Sequence, residues 1–140
     1  MLEERAVLST LYRYGHSIDY GLEEDWVDCF TSDGVFDVRL RLDEGRSHRH
    51  SGRDALAAFV AQHTRAPDRY HKHLLVEPVI DVSGDHASVR SYFTRLDAAD
   101  DGTPYIRAFG RYVDRMVKGP DGVWRFEERV AEVEGYSTGP

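Results

Sequence analysis

Four side chains in this 140-residue sequence have types and placements suited to moving a proton or holding an anion. Asp19 sits next to Ile18 and one turn after Gly15, close to the apolar stripe of an N-terminal helical pattern. A carboxylate there must be paired, because burying a lone charge is costly. His73 is one of seven histidines, the residue type that exchanges protons near neutral pH when a neighbour holds one ring nitrogen. Tyr14 offers a phenol that can donate to a substrate oxygen or be satisfied inside a core. It lies about 140° around the helix from Asp19, so both reach one cavity only if the helix end lies across the mouth. Arg129 breaks the alternation set by Trp124 and Phe126, so it turns inward only through a bulge. Inward it is an anion clamp; outward it pairs with Glu127 or Glu128.

The pairs His71-x-His73 and His48-x-His50 place residues two apart, hence on one face of a strand. Two such pairs could converge on a metal, but a third ligand is required and no HExxH accompanies them. His48 and His50 lie among Arg46, Arg49 and Arg53, where solvent exposure is the simpler account. No metal is assigned. No G-x-S-x-G elbow and no glycine-rich phosphate loop occur. Cys29, the one cysteine, excludes a disulfide framework and reads as a small core residue. A net charge of −7 argues against nucleic acid as a partner. Hydrophobic residues at 41% and charged residues at 31% describe a globular chain rather than a disordered or membrane-spanning one. The charged start, Leu2-Glu3-Glu4-Arg5, is unlike a signal peptide. One cytoplasmic domain over residues 1–140 is expected.

These residues need elements to position them. Val7, Leu8, Leu11, Tyr12, Gly15 and Ile18 recur at helical spacing, with Gly21 as a stop. A short second helix is expected over residues 23–30, then a turn at Thr31–Gly34. Phe36, Val38, Leu40 and Leu42 alternate with polar residues as in a half-buried strand. Residues 43–50 read as a loop or weak edge hairpin. Ser51-Gly52-Arg53-Asp54 has capping-box spacing and opens a helix that carries Leu56, Phe59, Val60 and His63 and stops at Ala66-Pro67. Segments 70–82, 86–96, 105–117 and 123–133, separated by Gly- and Asp-rich turns, predict an antiparallel meander. The fold class is therefore α+β: helices packed on a curved antiparallel sheet around an apolar pocket.

The order and spacing of several fragments then carry a resemblance. They are Tyr14-Gly15-His16-Ser17-Ile18-Asp19-Tyr20-Gly21, Trp26-x-x-Cys29-Phe30-Thr31-x-Asp33-Gly34-Val35-Phe36, and Gly52-Arg53-Asp54-Ala55-Leu56. After them come Lys72-His73-Leu74, Gly110-Arg111-Tyr112-Val113-Asp114 and Asp121-Gly122-Val123-Trp124-Arg125-Phe126-x-x-Arg129. Over about residues 2 to 134 the chain resembles the SnoaL-like branch of the NTF2-like superfamily, which includes scytalone dehydratase, bile-acid dehydratase and hexachlorocyclohexane dehydrochlorinase. The resemblance implies an NTF2-like cone, assembly as a homodimer or homotrimer, and an acid–base site without a cofactor. It implies that Asp19 hydrogen-bonds His73, that His73 removes a carbon-bound proton, that Tyr14 polarises the substrate oxygen, and that Arg129 faces the cavity. Many relatives carry an asparagine four residues after this histidine. Here that position is Glu77, and the chain has no asparagine at all, so scytalone-type contacts through asparagine are not available.

The leading expectation is a cofactor-independent lyase or isomerase, dehydratase-like, acting on a mid-sized apolar oxygenated substrate of polyketide or steroid type. Asp19, His73 and Tyr14 are its catalytic residues. Arg129, Trp26, Phe36, Phe93 and Phe109 line the substrate. The alternatives are a small-molecule binding module or shape-directed cyclase, and an accessory small subunit of a ring-hydroxylating dioxygenase. Fold alone does not choose among them.

Overall fold

The computed structural model describes residues 2–140. Its elements are helices α1 (Leu2–Tyr20), α2 (Glu23–Asp28) and α3 (Arg53–Gln62), and strands β1 (Phe30–Leu40), β2 (Arg46–Ser51), β3 (His71–Ser83), β4 (His86–Ala98), β5 (Pro104–Lys118) and β6 (Trp124–Tyr136). The strands form one sheet in the order β2-β1-β6-β5-β4-β3. No helix among the described residues is long and apolar enough to cross a membrane.

The α+β class and the β3–β6 meander are as expected, but the sheet is mixed rather than wholly antiparallel. β6 returns to lie parallel to β1, because α3 and the meander intervene between them and bring the chain back in the same direction. Residues 31–34 are not a separate turn. β1 runs through them, with its register to β6 shifting between Phe30 and Val35. Residues 46–51 do form the weak edge hairpin, pairing with β1. The capping box does not form: Gly52 is the N-cap of α3, with no side-chain cap. α3 also ends earlier than Pro67, because His63 is already extended.

α1 buries Val7, Leu11, Tyr14 and Ile18, the i, i+4, i+7, i+11 stripe of a helix on a core. They pack with Trp26, Phe30, Phe36, Leu56, Val60, Val89, Phe93, Tyr112, Met116, Trp124 and Phe126. Each such large side chain contributes about 1.5–3 kcal/mol by leaving water. Cys29 is a fully buried member of this core, as expected. Thr10 ties the helix to β6, its hydroxyl donating to the Trp124 carbonyl at 2.6 Å. At the other end α1 closes on Gly21, whose φ of +69° is the left-handed helix stop. That leaves Asp19 in the last turn, beside β3.

Two bulges re-aim side chains. In β6 the pairing passes from Met116↔Phe126 to Arg115↔Glu128, so Glu127 is the extra residue and Arg129 turns into the core. In β3 the pairing jumps from Val76↔Tyr92 to Val79↔Arg90, and Glu77 takes φ +51°. An L-residue other than glycine, asparagine or aspartate is strained there. Asparagine tolerates this left-handed region better, and the position is exposed. Replacing Glu77 by Asn should raise unfolding free energy by about 1 kcal/mol in urea titration. An unchanged or lower midpoint would show that the bulge does not strain Glu77.

Candidate active site

α1 approaches the edge strand β3 closely at Gly15: a Cβ there would stand 3.4 Å from the His73 carbonyl oxygen. This close approach brings the last turn of α1 against His71 and His73, both on the inner face of β3. Asp19 is buried, with 4% of its surface exposed. Its Oδ1 accepts from His73 Nδ1 at 2.6 Å and from His71 Nδ1 at 2.9 Å. Its Oδ2 accepts the His73 backbone N–H at 3.1 Å. Negative charge at a helix C-terminus is ordinarily unfavourable; three N–H donors compensate it here.

The electrostatics follow from these contacts. Burial alone would raise the Asp19 carboxyl, but the hydrogen bonds from His71 and His73 outweigh it and hold the group well below the usual carboxylate range. Burial lowers His73 from its ordinary value, against the opposing pull of Asp19. With Nδ1–H committed to Asp19, His73 is left with Nε2 as an acceptor, and no protein group among the described residues engages that atom. His73 and Asp19 line an open groove of about 470 Å³ along the α1–β3 seam, with Tyr12, His16, Tyr20 and Leu74 among its other walls.

On the inner side the dyad meets aromatic rings. Ring centroids run from His73 to His63 at 5.8 Å, His63 to Phe59 at 5.8 Å, Phe59 to Trp26 at 5.5 Å and Trp26 to Tyr14 at 5.8 Å. Trp26, Phe36 and Phe93 are buried in this interior, and the indole N–H of Trp26 has no hydrogen-bond partner among the described residues. Phe109 is not part of it. It lies on the outer face, half exposed, with its ring over Gly135 of β6. The reason is alternation: Ala108, Gly110 and Tyr112 take the inward positions of β5, which turns Phe109 outward.

Arg129 is fully buried and already paired. Its Nε and Nη2 donate to the two Asp114 oxygens at 2.8 and 3.1 Å. Its guanidinium lies 3.6 Å from the Tyr112 ring centre and 4.3 Å from that of Tyr14. Removing one partner of such a pair typically costs about 3–5 kcal/mol, because the other charge is stranded. Burial works against the charged guanidinium, yet Asp114 outweighs it and raises the Arg129 pKa. Burial lifts the Tyr14 phenol well above 10, so it is neutral and able to donate. Tyr14 belongs to this Arg129 cluster, joined to the Asp19–His73 pair through the row of rings.

The second histidine pair stays apart from the first. His48 is exposed on β2, and His50 packs on Phe59 at 4.7 Å. The ligand atoms of Asp19, His71 and His73 do lie within 4.8 Å of one another. The two histidine nitrogens also stand at hydrogen-bond distance from Asp19, 2.6 and 2.9 Å, and no cation is assigned. Sequence reasoning placed His63 only in the apolar stripe of α3 and gave His71 no partner. The signal for His71 was present, since its period-two spacing from His73 puts both on whatever His73 faces.

His63 Nδ1 donates to the Thr64 carbonyl at 2.9 Å. Burial nonetheless pushes His63 down to about 3, against that carbonyl's upward pull. The unfolded chain takes up protons near the ordinary histidine value of about 6.5, while folded His63 and His73 resist them. Stability should therefore fall as pH drops from about 6.5 toward 3, with a further loss below about 4 as unfolded Asp19 protonates. Thermal melts of His63→Phe should show a shallower decline than the parent; identical slopes would mean that His63 titrates normally in the fold.

Comparison with known proteins agrees with this architecture. The chain matches the SnoaL-like domain family over residues 1–130. No curated protein matches it. Rv3472 from Mycobacterium tuberculosis, a protein of unknown function, is 29% identical over 95% of this chain and 72% of its own, with a TM-score of 0.82. The beta subunit of a candidate aromatic-ring-hydroxylating dioxygenase from Novosphingobium aromaticivorans is 24% identical, over 97% of this chain and 92% of its own, with a TM-score of 0.82. A candidate scytalone dehydratase from the same organism is 23% identical, over 97% and 87%, with a TM-score of 0.77. At these identities the last two establish the NTF2-like fold alone.

Proposed function

This chain belongs to the SnoaL-like domain family, and from its Asp19–His73 pair we propose a cofactor-independent lyase or isomerase of the dehydratase kind. The substrate class is a mid-sized apolar oxygenated molecule, polyketide- or steroid-like. The observation that carries the proposal is the 2.6 Å contact between Asp19 Oδ1 and His73 Nδ1. A carboxylate holding Nδ1–H fixes the tautomer, orients the ring and stabilises the imidazolium that forms.

In the proposed reaction His73 Nε2 takes a proton from carbon next to a substrate carbonyl, and the electron pair moves into an enolate. The enolate collapses with loss of a hydroxyl group, which leaves as water after taking the proton from His73. Return of that proton to a different carbon gives an isomer instead. Tyr14, kept neutral by burial, is the proposed donor to the enolate oxygen, a type of interaction among the larger catalytic contributions. Arg129 supports that phenol from 4.3 Å. The groove beside His73 is walled by Tyr12, Tyr20, Leu74 and Leu75, which favours an apolar, ring-bearing molecule.

Leu74, Val76, Tyr92, Ile106 and Phe109 are exposed on neighbouring strands β3, β4 and β5. Clustered apolar surface of this kind marks an interface, and we assign it to a homodimer or homotrimer. The same face favours one second reading, an accessory subunit that docks there on a larger partner and does no chemistry alone.

A panel of β-hydroxy ketones of steroid and polyketide size, assayed for loss of water, tests the proposal. Asp19→Asn and His73→Ala, folded by circular dichroism, should lose about 10²–10⁴-fold in turnover. An Asp19→Asn protein that keeps the parent rate would sink the dyad. Ligand affinity that survives His73→Ala, with no turnover by the parent on any member, would favour a binding module or accessory subunit.

A further inference from the structure

His71 has no part in the reaction just proposed, yet its side chain is fully enclosed. Its Nδ1 lies 2.9 Å from Asp19 Oδ1, and its Nε2 lies 2.6 Å from the Thr64 carbonyl oxygen. Both neighbours are acceptors. A carbonyl oxygen carries no proton, and the Asp19 carboxyl is kept ionised by the N–H groups converging on it from His71 and His73. A neutral imidazole has one N–H and one lone pair. A neutral His71 would therefore aim a lone pair at one of these two oxygens inside the core. Turning the ring over would replace both bonds with C–H contacts.

We infer that His71 is a buried imidazolium that donates from both ring nitrogens, bridging Asp19 to Thr64, and that it positions Asp19 and His73. The charged groups around it fit this state. Asp97, opposite His71 in the β3–β4 register, is occupied by Arg95 at 2.7 and 3.1 Å, with Arg69 at 3.7 Å. Lys72 reaches the backbone carbonyl of His71 rather than its ring. His63, whose ring is 5.2 Å away, gives its Nδ1–H to the same Thr64 carbonyl. His73 gives its own to Asp19. Asp19 is thus the anion left for His71, among the described residues.

This arrangement has two consequences. The Asp19 charge is balanced by His71, so His73 borders a neutral pair and is not locked as an imidazolium by an unmatched buried carboxylate. Thr64, in the segment joining α3 to β3, is also tied to the dyad, which holds that segment against the site. The proton count stands on hydrogen bonding alone; its bearing on catalysis rests on the reading of His73 as the base.

The test is ¹H–¹⁵N correlation NMR of the full chain, labelled at histidine, at neutral pH. His71 should show directly bonded protons on both ring nitrogens. In His71→Gln, which keeps a donor but loses the charge, the His73 titration midpoint should move to higher pH, because a positive neighbour is gone. A role in packing alone would leave that midpoint in place. A single N–H on His71, or an unmoved His73 midpoint in a folded His71→Gln protein, overturns the inference. Signals of His71 that change when EDTA is added would put a cation between it and Asp19, and overturn it as well. The parent spectrum decides the proton count even if the variant does not fold. The two readings fail separately: a neutral His71 leaves His73 as the base, whereas a doubly protonated His71 beside a His73 carrying its proton on Nε2 removes the base.

Discussion

A carboxylate at the end of a helix, buried against a strand edge, is the constraint on which this molecule turns. Asp19 cannot remain ionised in the core unless N–H donors converge on it, and β3 supplies three: the rings of His71 and His73 and the His73 backbone. The backbone bond also occupies a donor on the edge strand β3, an otherwise exposed site for unwanted pairing. One side chain thereby joins helix to sheet, covers part of an edge and sets the direction of a histidine ring. At Gly15 the helix lies near enough to β3 that a Cβ would stand in contact with the His73 carbonyl oxygen.

A second buried charge is handled by the same rule at the centre of the sheet. The β6 bulge turns Arg129 inward, where Asp114 takes its fork and the rings of Tyr14, Tyr112 and Phe126 cover its faces. Burial of charge is costly unless each ion is matched and hydrogen-bonded, and both clusters meet that condition. They differ in what remains available. Two of the Arg129 donors are held by Asp114, which suits a rigid floor beneath Tyr14. The Asp19 network leaves one atom, His73 Nε2, without a protein partner among the described residues, and that is the atom on which chemistry would occur.

Much of this was legible in the residues. Helical spacing in α1, turn chemistry between the long strands and the broken alternation at Arg129 each reported a local physical preference that the fold kept. The Asp19–His73 contact came from resemblance, because no spacing rule joins positions 54 apart in the chain. Other features depended on tertiary context. The parallel β1–β6 pairing follows from the path of the whole chain. Phe109 reads as apolar and therefore inward, yet its face is decided by the register of β5. The capping pattern at Ser51–Asp54 gave way to Gly52 because Ser51 is the last residue of β2. His63 reads as one more position on an amphipathic helix, and its place in the network depends on where α3 stops.

The chemistry assigned to this site depends on where two protons sit, and neutron diffraction from crystals exchanged into deuterated buffer at neutral pH locates them directly. An ionised Asp19 with a deuteron on His73 Nδ1 and none on Nε2 is the predicted result. A deuteron on Nε2, or on an Asp19 oxygen, would leave His73 without a free lone pair or without its anionic partner, and would contradict its role as the base.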